Sequence, residues 1–267
     1  MYHIKKKILR LLNSLFSSFF IRIYESSNKQ LIEKLINTLK VHDLGYQLIR
    51  IGSDNDGGYL VPNILNQIRY CFSPGVGGSS SFERDLQNRN IKCFLADNSI
   101  DLKSDIVKSF NFEKKNISSL NSKNTITLED WVNLKIDKSS NDLLLQMDIE
   151  GDEYEVILSA NEDFIKRFKV MIIEFHYLDH IANKLGYNYI NAVFKKLLNY
   201  FDICHIHPNN ADEINIISGF NIPSVLEITL LRKDLILKKE KLNYILHPLD
   251  QDNKLNNKKI ILSKKFY

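Results

Sequence analysis

The stretch Leu143-Leu-Leu-Gln-Met-Asp-Ile-Glu-Gly-Asp-Glu-Tyr-Glu-Val-Ile-Leu158 contains an apolar run, an acidic turn and a helical pattern, in that order. The run 143–147 is short and almost continuously apolar, which is typical of a strand buried on both faces of a sheet. It ends at Asp148, and a helix is predicted over 153–158. The stretch therefore predicts a buried strand that brings a carboxylate to its carboxyl end.

The same alternation of strand and helix patterns continues from residue 69 onward. Further strands are predicted at 69–72, 91–96, 112–118, 169–173, 203–206 and 225–231. Helices are predicted at 79–90, 102–110, 127–134 and 189–201. Strands that alternate with helices form a mostly parallel sheet with helices on both faces, and ligands bind beyond the carboxyl ends of its strands. We therefore expect an α/β fold with its site at that edge.

Residues on either side of this alternation predict additions to the main domain. Residues 1–66 are expected to form an N-terminal cap with two helices, at 8–20 and 28–39, and a hairpin of strands 46–51 and 59–62. The main domain is predicted over 67–235. Residues 236–267 are expected to form a C-terminal extension packed on its surface.

The first helix has two interpretations. Lys5, Lys6 and Lys7 precede an apolar stretch, as in a secretory leader, but polar residues such as Asn13 interrupt it. The stretch is far shorter than the roughly 20 apolar residues that span a bilayer. We expect an uncleaved amphipathic helix that packs on the domain or on a second subunit of a homo-oligomer. The alternative is a peripheral membrane contact through residues 5–23, at the inner membrane face.

Composition excludes several classes of protein. Hydrophobic residues make up 44% of the chain and charged residues 25%, which excludes wholesale disorder. A net charge of +4 is too small to indicate nucleic acid, so no nucleic-acid partner is expected. Cys71, Cys93 and Cys204 form no close pair, which argues against a disulfide framework or a cysteine zinc site. A reducing cytoplasm is the expected compartment.

A glycine-rich turn after the strand at 69–72 predicts a cofactor site. Glycines let the backbone approach a ligand closely, and Asp97, at the end of the next strand, can accept both hydroxyls of a ribose. This layout serves nicotinamide cofactors and S-adenosylmethionine, although the dinucleotide fingerprint has glycine where this chain has Ser80. A turn that only joins strand to helix is the structural alternative. The predicted cofactor-binding residues are Gly75, Gly77, Gly78, Ser79, Asp97 and Asn98.

Two segments resemble the FkbM-type methyltransferases. The stretch 145–158, with Asp148-Ile-Glu-Gly-Asp-Glu153, and the strand end Glu174-Phe-His176 are similar to the core of that family. Ser73-Pro-Gly-Val-Gly-Gly-Ser-Ser-Ser-Phe-Glu83 resembles its cofactor loop, with Ser79 as a departure, and Thr127-Leu-Glu-Asp130 resembles its turn before the fourth strand. Over residues 52–232 the resemblance implies a class I (Rossmann-like) methyltransferase fold and S-adenosylmethionine-dependent O-methylation, commonly of sugars.

Two further segments resemble a bacterial saccharide-modifying subgroup of that family. They are Asp54-Asn-Asp-Gly-Gly-Tyr59 and His205-Ile-His-Pro-Asn-Asn210. Carboxylate and amide side chains suit sugar hydroxyls because they accept or donate hydrogen bonds, whereas turns alone would also explain both segments. The predicted substrate-binding residues are Asp56, Tyr59, Glu150, Asn209 and Asn210.

The chemistry is predicted at the acidic strand ends. Asp148, Glu174 and His176 could bind Mg²⁺, Mn²⁺ or Fe²⁺ with positions open for substrate oxygens. The alternative is that Asp148 or Glu150 caps the following helix and that His176 acts as a general base without metal. The predicted catalytic residues are His176, Asp148 and His207.

These observations predict an enzyme that methylates a hydroxyl of a bacterial sugar. The substrate class is a nucleotide-activated sugar or a residue of a surface or capsular glycan. Two alternatives stay open at this point: an NAD-dependent oxidoreductase, and a catalytically silent scaffold of the same fold.

Overall fold

The computed structural model describes residues 2–19, 23–77, 79–101, 103–242 and 246–267. The helices of these residues are α1 (Tyr2–Phe16), α2 (Lys29–Thr38), α3 (Ser81–Gln87), α4 (Asp105–Ser109), α5 (Leu128–Lys135), α6 (Glu153–Ser159), α7 (Glu162–Ile165) and α8 (Lys184–Tyr200). The strands are β1 (His42–Asp43), β2 (Leu48–Gly52), β3 (Gly58–Pro62), β4 (Tyr70–Pro74), β5 (Lys92–Ala96), β6 (Asn111–Glu113), β7 (Asn116–Ser118), β8 (Thr125–Thr127), β9 (Leu143–Met147), β10 (Phe168–Phe175), β11 (Phe201–Pro208), β12 (Ile214–Ile217), β13 (Phe220–Pro223), β14 (Leu226–Arg232) and β15 (Glu240–Lys241).

Within the described residues, a sheet of seven strands has the order β11-β14-β10-β9-β4-β5-β6. The neighbours from β10 to β6 are parallel, and β14 runs antiparallel to both β10 and β11. This arrangement confirms the predicted α/β class with a mostly parallel sheet. The turn after β4 and the acidic end of β9 lie side by side because β4 and β9 are paired.

Each central strand is buried on both faces, with a period of two. On β9, Leu143, Leu145 and Met147 pack into one apolar cluster, together with α2, α5, α6 and α8. Leu144 lies in a second cluster, which the β2–β3 hairpin and α3 cover. The same alternation continues on β10, where Val170 and Ile172 share the hairpin side. Glu174, two residues further, therefore faces the hairpin as well.

Several predicted elements differ from those observed. The strand predicted at 112–118 is wrong as a single element: β6 and β7 are separate, and β7 pairs with β8 in a small ribbon. Lys114 lies at the break, where its ammonium donates to the carbonyl of Asn98 at 2.6 Å. The last long helix begins at Lys184 because Asn183 caps its first turn, accepting from Gly186 N at 2.9 Å. The β12–β13 hairpin was not predicted.

The terminal segments pack on both sides of the sheet. Ile32, Leu35 and Ile36 of α2 are buried in the same apolar cluster as Phe266 near the C-terminus. The Val41 amide donates to the Phe266 carbonyl at 2.9 Å. The predicted domain boundaries at residues 66 and 235 stay predictions.

The first helix begins earlier than predicted and ends at Phe16, followed by a 3-10 turn over Ser17–Phe19. Phe20, the end of the predicted helix, lies outside the described residues. Among the described helices, none has the length and apolarity required to cross a bilayer.

Candidate active site

The turn after β4 lies against the acidic turn after β9. Gly75 has φ +81°, and a Cβ at this position would lie 1.4 Å from the Asp148 carbonyl oxygen. The Asp148 amide donates to the Pro74 carbonyl at 3.2 Å, and the Gly75 amide to the Ala96 carbonyl at 3.0 Å. Gly75 is therefore required for the contact between two chain segments, whereas a Cβ on Gly77 would meet nothing within 4 Å.

A cavity of about 320 Å³ opens where these turns meet β5. Of the predicted cofactor-binding residues, Gly75, Gly77 and Asp97 line it. Asn98 and Ser79 are not among its lining residues, and Gly78 lies outside the described residues. Lining residues that sequence reasoning missed are Ser99, Asn116, Ile117, Ile149 and Asp152.

The Asp97 carboxylate lines this cavity and accepts three hydrogen bonds, two from backbone amides and one from a hydroxyl. Its Oδ2 accepts from the Val76 amide at 3.1 Å, and its Oδ1 accepts from the Ser99 amide and hydroxyl, each at 2.6 Å. A carboxylate has about four acceptor positions, so one position is left for a ligand hydroxyl. Asp97 thus orders the glycine turn in addition to facing the cavity.

His176 is the centre of an acidic cluster at the end of β10. Its Nδ1 lies 3.1 Å from the fully buried Glu153 Oε1, which also accepts from the Ile149 amide at 3.0 Å and the Gly151 amide at 3.1 Å. Glu153 is thereby the partner that orients the ring. The opposite nitrogen, Nε2, lies 3.7 Å from Asp148 Oδ1 and 3.5 Å from Glu150 Oε2.

This cluster shifts the titration of its members. Burial raises the pKa of Asp148 to about 7, and the charges of Glu150 and Glu153 add to the effect. Burial lowers the pKa of His176, but the hydrogen bond to Glu153 and the surrounding carboxylates outweigh it and raise the pKa to about 9. The surrounding carboxylates therefore favour a positive charge at Nε2 of His176. This charge can be a proton on Nε2 or a metal cation that replaces the proton.

The possible metal ligands differ from the predicted set in one residue. Among the described residues, Asp148, Glu150 and His176 offer ligand atoms that all lie within 4.8 Å of one another. Glu174, predicted as the third ligand, does not belong to this group because its carboxylate faces the hairpin and accepts from Asn209 Nδ2 at 2.7 Å. Glu150 reaches the cluster because its backbone adopts a left-handed turn at φ +58°.

A second cavity, of about 100 Å³, lies on the other side of the glycine turn. Asp56, Tyr59 and Ser79 line it, and Gly75, Gly77 and Asp148 line both cavities. Behind it, Gln146 Nε2 donates to the Tyr59 hydroxyl at 3.2 Å. The Ser73 hydroxyl lies within donating distance of Glu83 Oε1 and Gln146 Oε1, each at 2.5 Å. Burial raises the pKa of Glu83, although the hydrogen bond from Ser73 opposes this effect.

The C-terminal extension forms the wall next to this second cavity. Asn253 Nδ2 donates to Glu227 Oε1 at 2.7 Å and to Asp56 Oδ1 at 3.3 Å. Asn210, predicted to bind substrate, pairs its amide with the backbone of Lys254, at 2.9 and 2.8 Å. Asn210 therefore fastens the extension, and its predicted contact with substrate stays a prediction. The roles of Asn253 and Glu227 were missed.

His207 does not join the cluster around His176. It lies on β11, opposite Glu227 of β14, and its Nδ1 is 3.7 Å from Asp250 of the extension. His205 contacts the same carboxylate at 2.9 Å. Burial lowers the pKa of His207 to about 4, although Asp250 opposes this effect. Its predicted catalytic role therefore has no support from its position.

The pKa of His207 predicts a pH dependence of stability. Between pH 6.5 and about 4 the unfolded chain takes up a proton that the folded imidazole refuses, so stability declines as pH falls through this range. His207→Gln should remove a decline on the order of 3 kcal/mol in the free energy of unfolding. Urea unfolding across this pH range would measure it, with a substitution of the exposed His180, His180→Gln, as the control. Parallel curves for wild type and His207→Gln would contradict the prediction.

Comparison with known proteins adds two findings. The family model of the methyltransferase FkbM domain matches residues 28–204. Among solved structures, the fibrillarin/Nop5p complex is similar at 13% identity and a TM-score of 0.36, over 62% of this chain and 73% of that chain. No curated protein matches the chain.

A mostly parallel seven-stranded sheet, with a glycine turn and the Asp97 carboxylate lining a cavity at its carboxyl edge, is the architecture of a class I, Rossmann-like methyltransferase. The match to the FkbM domain covers more than half of the chain. The protein belongs to the FkbM methyltransferase family, and this membership implies S-adenosylmethionine as methyl donor.

Asp97→Asn should weaken binding of S-adenosylhomocysteine. The amide of Asn cannot replace a charge-assisted acceptor for ribose hydroxyls, so we expect a loss of about 1.5–3 kcal/mol, roughly 10- to 100-fold in affinity. Titration calorimetry would measure it, with Asp101→Asn, which lies on the exposed loop after β5, as the matched control. Equal affinities for wild type and Asp97→Asn would refute the ribose contact.

Proposed function

We propose that this protein is an S-adenosylmethionine-dependent O-methyltransferase that acts on a hydroxyl of a bacterial sugar. One observation carries the proposal: the two cavities share Gly75, Gly77 and Asp148. A donor in the larger cavity and an acceptor in the smaller one would therefore meet next to Asp148 and His176. Methyl transfer requires such an in-line meeting of two ligands.

The larger cavity suits the methyl donor. Gly77 leaves open space for the ligand, and Asp97 lines the cavity with one acceptor position left, which we assign to a ribose hydroxyl. When bound there, S-adenosylmethionine supplies an electrophilic methyl group. The protein's own side chains have to orient the acceptor oxygen and to assist the removal of its proton.

His176 and its carboxylate neighbours are the groups suited to that task. We propose that Asp148, Glu150 and His176 hold a divalent cation, Mg²⁺, Mn²⁺ or Fe²⁺. Glu153 holds Nδ1 of His176 and so directs Nε2 toward the two carboxylates, an arrangement typical of metal-ligating histidines. A cation at this position would lower the pKa of a nearby hydroxyl. In the absence of metal, Asp148 with its pKa of about 7 would have to accept the proton, because His176 with its pKa of about 9 already carries a proton at neutral pH.

The smaller cavity suits a sugar. Asp56 and Tyr59 line this cavity together with Asp148 and offer polar atoms to a ligand. Asn209, whose amide donates to Glu174 Oε1 at 2.7 Å, is proposed as a further substrate contact. Such groups fit the hydroxyls of a nucleotide-activated sugar or of a surface or capsular glycan residue, and we propose that the chain belongs to a saccharide-modifying subgroup of the family. We also propose that the enzyme acts in the cytoplasm, where nucleotide-activated sugars are available.

Metal removal tests the cation. Treatment with EDTA should abolish conversion of S-adenosylmethionine to S-adenosylhomocysteine with a nucleotide-sugar panel, and added Mg²⁺ or Mn²⁺ should restore it. Calorimetric binding of S-adenosylhomocysteine should survive EDTA, because the proposed ribose contact, Asp97, is not one of the three proposed metal ligands.

Direct titration with Mn²⁺ gives a readout that needs no substrate. Binding should be lost in Glu150→Gln and retained in the exposed control Glu213→Gln. Full turnover in protein shown by elemental analysis to be metal-free would eliminate the cation and leave proton acceptance by Asp148.

A further inference from the structure

Helix α1 carries an apolar stripe that the rest of the described chain leaves uncovered. Ile4, Ile8, Leu11 and Leu15 are each 53–63% exposed. At about 100° per residue these four side chains fall within an arc of about 60° on one face of the helix. Aligned apolar side chains of this size are costly to leave in water, so the stripe indicates a contact surface.

The chain that follows α1 returns along the opposite face. Asn13 Nδ2 donates to the Ile23 carbonyl at 3.0 Å, and the Ile23 amide donates back to Asn13 Oδ1 at 2.6 Å. Asn13 lies about 170° around the helix from the centre of the stripe. These two hydrogen bonds therefore fix Ile23 on the polar side of α1, and the stripe faces away from it.

Charge distinguishes between the surfaces that the stripe could contact. Lys5 and Lys7 lie on the two sides of the stripe and Arg10 lies further round, whereas the first acidic residue in the sequence is Glu25. A parallel pair of α1 helices would bring the lysines of both copies together without an acid to compensate them. An anionic bilayer surface accepts the apolar side chains between its headgroups and attracts the flanking lysines, whose stems reach back to the headgroups.

We propose that α1 binds the surface of an anionic lipid bilayer, with the stripe Ile4, Ile8, Leu11 and Leu15 inserted at the headgroup level and the helix parallel to the membrane. This contact is independent of the proposed methyl transfer, because no residue of α1 lines either cavity of the active site.

Co-sedimentation of the full chain with vesicles tests the proposal. The protein should pellet with vesicles of phosphatidylcholine and phosphatidylglycerol, and should stay in the supernatant with phosphatidylcholine alone. Each basic residue near an anionic surface strengthens binding by about 1 kcal/mol, about five-fold. The triple substitution Lys5→Gln, Lys7→Gln and Arg10→Gln should therefore weaken binding on the order of 100-fold.

A matched control carries the same change in net charge on exposed residues of the main domain: Lys123→Gln, Lys138→Gln and Lys195→Gln. It should bind the anionic vesicles as the wild type does. Higher salt should weaken the wild type, because the attraction to phosphatidylglycerol is screened.

A second pair of variants tests the apolar stripe. Ile8→Glu with Leu11→Glu should abolish binding, and Leu120→Glu with Leu134→Glu, at exposed leucines elsewhere, should leave it unchanged. Thermal unfolding with S-adenosylhomocysteine would verify that the main domain is intact in each variant. Equal binding to both vesicle types, no binding to either, or a dimer that Ile8→Glu with Leu11→Glu converts to a monomer would overturn the proposal.

Discussion

His176→Gln should lower turnover by about 10²- to 10⁴-fold, the range that a positioned proton-transfer group contributes. The substitution removes Nε2, the atom that lies near both Asp148 and Glu150. With it are lost the proposed cation ligand and, in metal-free protein, the positive charge beside the two carboxylates. The Gln side chain can still donate to Glu153, so the buried carboxylate keeps a partner and the fold should persist. Turnover and calorimetric binding of S-adenosylhomocysteine, measured on the same sample, separate loss of chemistry from loss of fold.

Two further variants test whether the loss of turnover is specific to His176. His180→Gln changes an exposed histidine four residues away and should leave turnover unchanged. Glu153→Gln keeps the shape of the orienting group but removes its charge, so it should lower turnover less than His176→Gln and alter the pH profile. Wild-type turnover in His176→Gln would show that the reaction takes place elsewhere in the fold.

Gly75→Ala should destabilise the protein and abolish binding of S-adenosylhomocysteine. The added Cβ would lie 1.4 Å from the Asp148 carbonyl oxygen, and the backbone at φ +81° strains any side chain. Overpacking costs about 1–3 kcal/mol and left-handed backbone about 1–2 kcal/mol more. For a chain of this size a loss of about 3 kcal/mol lowers Tm by roughly 6–12 °C.

Gly77→Ala is the matched control for this prediction. Its Cβ would meet no atom within 4 Å, so Tm should stay close to that of the wild type. Because Gly77 lines both cavities, its Cβ can still hinder the ligand. Wild-type Tm in Gly75→Ala would show that the two turns can separate without cost.

Much of the fold follows from local patterns in the sequence. The runs that became β4, β5, β9 and β10 were identified because a strand buried on both faces needs apolar residues at successive positions. Their carboxyl ends share an edge in any parallel sheet, so the proximity of Gly75 and Asp148 was predictable from the turn and the strand end alone. A lysine pair between β6 and β7 marked the break that the strand prediction at 112–118 overlooked.

Glu153 shows where a signal in the sequence was present but unused. It opens α6 five residues after Asp148, inside the segment that resembles the family core, yet it was predicted only as part of a helix. Its role as the partner of His176 depends on a contact across 23 residues of chain.

The sequence by itself determined which residues end the strands, because strand periodicity and burial are local properties. Tertiary structure alone decided which side chains meet. Glu150 replaces Glu174 beside His176 because a left-handed turn redirects the chain after β9, while strand alternation directs Glu174 to the hairpin face. Asn210 binds Lys254, and His207 approaches Asp250, across 44 and 43 residues. Such contacts depend on where the C-terminal extension packs, and that is a property of the whole folded chain.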